Sequence, residues 1–358
     1  MALLWAASPS GAANGPPGGP ATIWPSPPLS GPWIDPGRLL DPGATAPAVF
    51  REAQFLPRPE RRSSFWVVRT SDCPQVMGSD PWPCLQVLQF DADGHLLPSD
   101  LGALLAQAAA GRPVLVIAHG NLNFGRLAIN TAVWGQEMLL RYGALPPEAV
   151  VVLFDWPSDR VYHNDLRDLH EKMRRAFVSG YHLARFLQAF PPGSRLCLLG
   201  QSDGGRLVSS ALHLLGGGLL DSMDHDPPVG LPGGPPSLRL RAVVIAAASD
   251  HDWLNPGKRF DHALWACEAF LNLYNRCDRA LLPYPLARLS GHHRALGRIG
   301  LQGADHHRLG PWAARYAERD MHPYLGREHT LYGALVHPQI ARWIAFYTWS
   351  TAAPLPPG

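Results

Sequence analysis

Short apolar runs punctuate the middle of the chain, and helical periodicity fills the gaps between them. "RPVLVIAHG" (112–120), "AVVVLFDWPSD" (149–159), "SRLCLLG" (194–200) and "LRAVVIAAASD" (240–250) are wholly apolar over their centres. A strand covered on both faces has that character, because neither side meets water. "SSFWVVRT" (63–70) and "CLQVLQFD" (84–91) read as two earlier strands across a proline-rich turn, open to an antiparallel pairing, and "AFLNLYNRCD" (269–278) as a seventh. Helices are predicted over "AINTAVWGQEMLLRYG", "LRDLHEKMRRAFVSGYHLARFLQAF" and "GGRLVSSALHLLGG". Pro191-Pro192-Gly193 stops the second, and Gly216 is placed to cap the third. Buried strands alternating with helices predict an α/β fold, with a mostly parallel sheet covered on both faces.

The pattern fails at the start. Residues 1–60 hold 13 Pro and 7 Gly, with only scattered Trp5, Trp24 and Trp33 as anchors. Proline removes donors and glycine raises chain entropy, so this stretch is read as a largely disordered tail, and 61–358 as a single domain. Residues 221–238 are expected to form a loop.

Composition changes this picture little. Lysine plus arginine total 31 against 29 aspartate plus glutamate, and no basic stripe carries interleaved aromatics, so nucleic acid is not an expected partner. "MALLWAASPSGAANG" lacks a basic n-region and a full apolar h-region, and no run of about 18 apolar residues occurs, so neither a signal peptide nor a span is expected. Five cysteines without a C-x-x-C pair argue against a disulfide framework or a zinc site. Reduced thiols are expected; a Cys73–Cys84 bridge is the pairing that stays open, since both lie near the first strands. A cytoplasmic location is expected.

Chemistry gathers at Gly200-Gln201-Ser202-Asp203-Gly204. G-x-S-x-G alone is a cheap pattern. Here it follows a predicted strand and opens a predicted helix, the context in which a sharp turn lifts a serine hydroxyl out at the carboxyl edge of a sheet. Ser202 is therefore the candidate nucleophile, with the Asp203 N–H, at the helix start, the first oxyanion donor. His119-Gly120 ends an earlier strand, and the N–H of Asn121, ahead of Leu122, is the second. A serine needs a base, and the base an orienting acid, in the chain order Ser, Asp/Glu, His. Asp278 follows the last predicted strand and is favoured as the acid over Asp250 and Asp252, one strand earlier. Of His306, His307, His322 and His329, His329 is best placed as the base, with His322 second, while His337 is read as lying inside the closing helix.

With these residues in hand, the sequence resembles the α/β-hydrolases, and more narrowly the DUF900 group in a form associated with planctomycete bacteria. The likeness is carried by "VIAHGN", by "DWPSD" with Tyr162 and Asp165, by "LLGQSDGGRLVSSALHLLGGG", by "NRCDRAL" and by "EHTLYG…HP", over about residues 63–349. It implies an α/β-hydrolase fold, Ser202 as nucleophile, Asp278 as acid and His329 as base, acting on an acyl ester with no metal or organic cofactor. Relatives often carry Met, Leu or Phe where Asp203 stands, so its charge argues against anionic substrates. "WPSD" is weighted toward packing over substrate contact, and "LLPYPLARLSGHHRALGRIGL" (281–301) reads equally as a lid, a lipid contact or a packed cap. Two other readings stay open: a binding protein that keeps the fold without turnover, and acyl transfer to an acceptor other than water.

Overall fold

Strand-forming residues dominate the centre of the chain, and they assemble into one sheet. The computed structural model describes residues 21–22, 64–91, 95–221, 227–287 and 293–351. Its strands are β1 (Ala21–Thr22), β2 (Ser64–Arg69), β3 (Gln86–Phe90), β4 (His95–Pro98), β5 (Val114–Ala118), β6 (Val150–Asp155), β7 (Arg195–Gln201), β8 (Arg239–Ile245), β9 (Ala269–Tyr274) and β10 (Tyr316–Asp320). Their order is β1-β4-β3-β2-β6-β5-β7-β8-β9-β10. Pairing is parallel from β2 through to β10 and antiparallel at β1, β4 and β3. This is the α/β fold that the sequence pattern predicts, with a mostly parallel sheet and an antiparallel opening pair.

The apolar runs of β5 and β6 are buried on both faces because alternate residues serve two different cores. Val114, Val116 and Ala118, with Val150, Val152 and Phe154, face one layer. Leu115 and Ile117, with Val151 and Leu153, face the other. The first layer is built against α1 (Leu101–Ala109), α3 (Asp165–Gln188) and α4 (Asp203–Leu215). The second is built against α2 (Arg126–Arg141), α5 (Leu331–Leu335) and α6 (Pro338–Ala345).

Helix starts follow local chemistry. Asp100, Asn164 and Thr330 each accept a first-turn backbone N–H at the heads of α1, α3 and α5, which satisfies a donor with no intrahelical partner. His337 does not lie inside the closing helix as read from the sequence. It stands just before α6, where its Nδ1 accepts from the Gln339 N–H; Pro338 follows because the first helical position needs no N–H.

Two sequence readings need correction or restriction. Cys73 and Cys84 form a disulfide, not free thiols. The turn between β2 and β3 brings their Cα atoms to 5.1 Å, inside the span a bridge requires. The expected disordered tail over 1–60 lies outside the described residues except for Ala21–Thr22, which pair with β4. No helix among the described residues is long and apolar enough to cross a membrane.

Candidate active site

Every piece of the site hangs from the carboxyl end of the parallel strands. β7 ends at Gln201, α4 begins at Asp203, and Ser202 joins them at φ 56°, ψ −119°. Few L-residues adopt that backbone, and it persists only where surroundings over-determine it. Here the Ser202 N–H donates to the Ile245 carbonyl (2.9 Å), and the Ser202 carbonyl accepts from Ala248 and Gly205 (both 3.0 Å). Gly204 is required by close approach: a Cβ there would run into the carbonyl oxygens of Ala118 and His119.

The described geometry brings Ser202, His329 and Asp278 together. His329 Nε2 lies 2.9 Å from Ser202 Oγ, and His329 Nδ1 lies 2.6 Å from Asp278 Oδ2. A proton on Nδ1, donated to the carboxylate, leaves Nε2 free to accept from the serine hydroxyl. Asp278 is buried, and its other oxygen accepts the N–H groups of Ala280 (2.8 Å) and Leu281 (3.1 Å), so it has no freedom to turn away.

The rival residues are engaged elsewhere. Asp250 accepts the Tyr284 hydroxyl (2.8 Å) and lies 3.3 Å from His293, and Asp252 pairs with Lys258 (2.8 Å). His322 faces the Gly326 carbonyl (3.1 Å) and Cys277, and His306 faces Glu318.

Two positioning side chains escape a motif reading. Gln201, the unspecified second residue of G-x-S-x-G, donates from Nε2 to the His329 carbonyl at 2.6 Å. Asn275, three residues before Asp278, donates from Nδ2 to the Glu328 carbonyl at 2.9 Å. Together they tie the loop that bears His329 to the ends of β7 and β9. Their only sequence signal is a polar residue closing an apolar strand. Beside them, burial pushes the Glu328 carboxyl above the usual carboxylate range.

Asn121 and Asp203 both line the cleft with Ser202. The Leu122 N–H is committed to the Ser158 carbonyl (3.1 Å), which leaves Asn121 as the candidate for a second donor. Gly120 is fixed by closeness, since a Cβ there would collide with Gln201 Oε1 and press on Ser202 Cβ. "DWPSD" resolves into support for this loop. Trp156 is buried and donates to the His119 carbonyl (2.8 Å), and buried Ser158 holds Leu122. Asp155 lies between Arg69 (3.0 Å) and His119 (3.2 Å). Burial pushes its carboxyl up, but those two partners hold it below its usual range.

The cleft has a volume of about 280 Å³, with Leu166, Leu169, Met173, Leu281 and Leu286 on its apolar walls. Leu286 is 71% exposed and Leu166 54%, so the rim is apolar. Its polar wall holds two buried ion pairs, Lys172 with Asp168 (2.5 Å) and Arg206 with Asp203. Two clusters elsewhere among the described residues have metal-ligand composition, His213/Asp261/His262 and Asp250/Asp252/His293; both line a second groove. Residues 288–292 of the segment read as lid or cap lie outside the described residues.

No family model matches the chain, and no curated protein matches it. Among solved structures it is similar to an inhibited esterase B from Lactobacillus rhamnosis, at 13% identity and a TM-score of 0.32, over 81% of this chain and 90% of that one. It is also similar to an esterase/lipase from an uncultured bacterium, at 12% identity and a TM-score of 0.35, over 86% and 93% respectively.

Proposed function

We propose that the protein is a serine hydrolase that cleaves a carboxylic ester through an acyl-enzyme. The observation that carries this reading is the pair of contacts made by one ring: His329 Nε2 to Ser202 Oγ at 2.9 Å and Nδ1 to Asp278 Oδ2 at 2.6 Å. A solvated loop histidine has no reason to meet both. Ser202 Oγ attacks the ester carbonyl as His329 takes its proton. The oxyanion settles against the N–H groups of Asp203 and Asn121. His329 then protonates the leaving alcohol, and the same base activates water to release the acid. Asp278 holds the imidazole tautomer and stabilises the imidazolium. None of these steps calls on a metal or organic cofactor. The small-molecule substrate enters between the apolar walls, and the DUF900 likeness stands with this proposal.

The short Ser202–His329 contact favours turnover over binding alone. A fluorophosphonate probe tests it directly. Labelling of the folded protein that disappears in Ser202→Ala supports an activated serine. Folded wild type that takes no label moves the reading to a non-catalytic binding protein. Product analysis with water and with an added alcohol then separates hydrolysis from acyl transfer.

A further inference from the structure

An aspartate directly after the nucleophile is a poor neighbour for an oxyanion. The carboxylate is bonded to the residue whose N–H is to receive the negative oxygen, so covalent geometry keeps the two charges within roughly 6 Å. Both also draw on the same positive end of α4. At that separation and an effective dielectric near 20, an uncancelled carboxylate slows oxyanion formation by about 100-fold.

The molecule places a cation where it removes this problem. Arg206 lies one helical turn after Asp203 on α4, and its Nη1 donates to Asp203 Oδ1. Both side chains are almost fully buried, at 1% and 3% exposure, so water screens neither. The guanidinium also faces the Phe177 ring from 5.9 Å, on α3. The neighbouring buried charges, Lys172 and Asp168, already cancel one another. Losing Arg206 therefore leaves this wall of the cleft with one net negative charge.

We propose that Arg206 is a positioning residue whose guanidinium cancels and holds the Asp203 carboxylate so that the Asp203 amide can receive an oxyanion. The inference rests on the serine hydrolase reading. It assigns to Arg206 a contribution to kcat, not to substrate binding.

The test compares Arg206→Met with Arg206→Met/Asp203→Asn, with kcat and KM measured on 4-nitrophenyl butyrate. Active sites are counted by fluorophosphonate labelling, and folding is followed by circular dichroism. Arg206→Met is expected to lose about 100-fold in kcat with KM changed by less than about threefold, and the double variant to recover at least about tenfold of that loss. A merely structural arginine gives no such rescue in folded protein. The proposal is overturned if Arg206→Met keeps kcat within about threefold, or if the folded double variant is as slow as the single one. Should Arg206→Met fail to fold, Arg206→Lys and Arg206→Gln replace it. The lysine is then expected to outpace the glutamine by at least about tenfold, and equal rates overturn the proposal. Where this ester turns over too slowly, the rate of fluorophosphonate labelling is the readout. Wild type that neither turns over nor takes label defeats the hydrolase reading itself, whereas an active wild type without rescue defeats only the role of Arg206.

Discussion

The Gln201 side chain donates to the His329 backbone carbonyl at 2.6 Å, so the residue beside Ser202 holds the loop that carries His329. Gln201 is itself boxed in by Gly120, where a methyl group would strike its Oε1. Gln201→Leu keeps the volume and removes the bond. Its kcat is expected to fall about tenfold, the scale of one hydrogen bond, and the His329 carbonyl left without its donor should lower stability by about 1–3 kcal/mol. Gly120→Ala is expected to do at least as much damage, because it displaces Gln201 and presses on Ser202 together. Steady-state kinetics on both variants checks the pair.

Ser202→Ala removes the proposed nucleophile. Activity toward any acyl ester the wild type turns over should drop on the order of 10³-fold or more, with an unchanged melting profile. A variant within about tenfold of wild type excludes Ser202 as the nucleophile.

Asp278 and Asp250 are both buried acids near strand ends; Asp278 meets the His329 imidazole, whereas Asp250 meets Tyr284 and His293. Asp278→Asn is expected to cost on the order of 10³–10⁴ in kcat, because an amide favours the wrong tautomer. Asp250→Asn keeps an acceptor for Tyr284 and is expected to cost less than about tenfold. Reversed magnitudes would move the acid to the earlier strand.

His182 gives a pH signature away from the site. It is buried, with Nε2 3.1 Å from Ser79 Oγ, and burial lowers its pKa from 6.5 to about 4. The folded state then binds fewer protons than the unfolded state between those values. Stability from this group is complete above pH 6.5 and is lost as pH falls toward 4, by about 2 kcal/mol between pH 7 and pH 5. Urea melts of wild type and His182→Gln at both pH values should show the shallower dependence in the variant.

The Cys73–Cys84 bridge closes a loop with a sequence separation of 11. Chain entropy assigns such a closure about 3 kcal/mol, so reduction should lower the unfolding free energy on that scale. Intact-mass measurement after alkylation, with and without reductant, counts the two protected thiols. The bridge also bears on location, since a reducing cytoplasm keeps such pairs as thiols.

Which parts of the molecule could be read in advance follows from what a sequence can express. β5 to β8 were legible because strands covered on both faces are continuously apolar. The turn at Ser202 was legible because only glycines tolerate its crowding. Strand β10 was not, since "YAERD" carries three charges in five residues and its pairing is dictated by β9. Gln201 and Asn275 were missed because a tertiary hydrogen bond leaves no periodic trace. The Cys73–Cys84 pairing could be named but not chosen over free thiols, because a count of five cysteines cannot report that a turn brings two of them to 5.1 Å.

Strand β10 ends the sheet among the described residues, and its polarity has a use beyond this chain. Glu318 collects the Tyr316 hydroxyl and the Leu301 N–H, Asp320 pairs with Arg276, and Arg319 stands between them. A second sheet that tried to extend this one would have to strip water from that row of charges and displace partners already in place. The border that looks least like a strand thus discourages copies of the protein from zipping together along that edge.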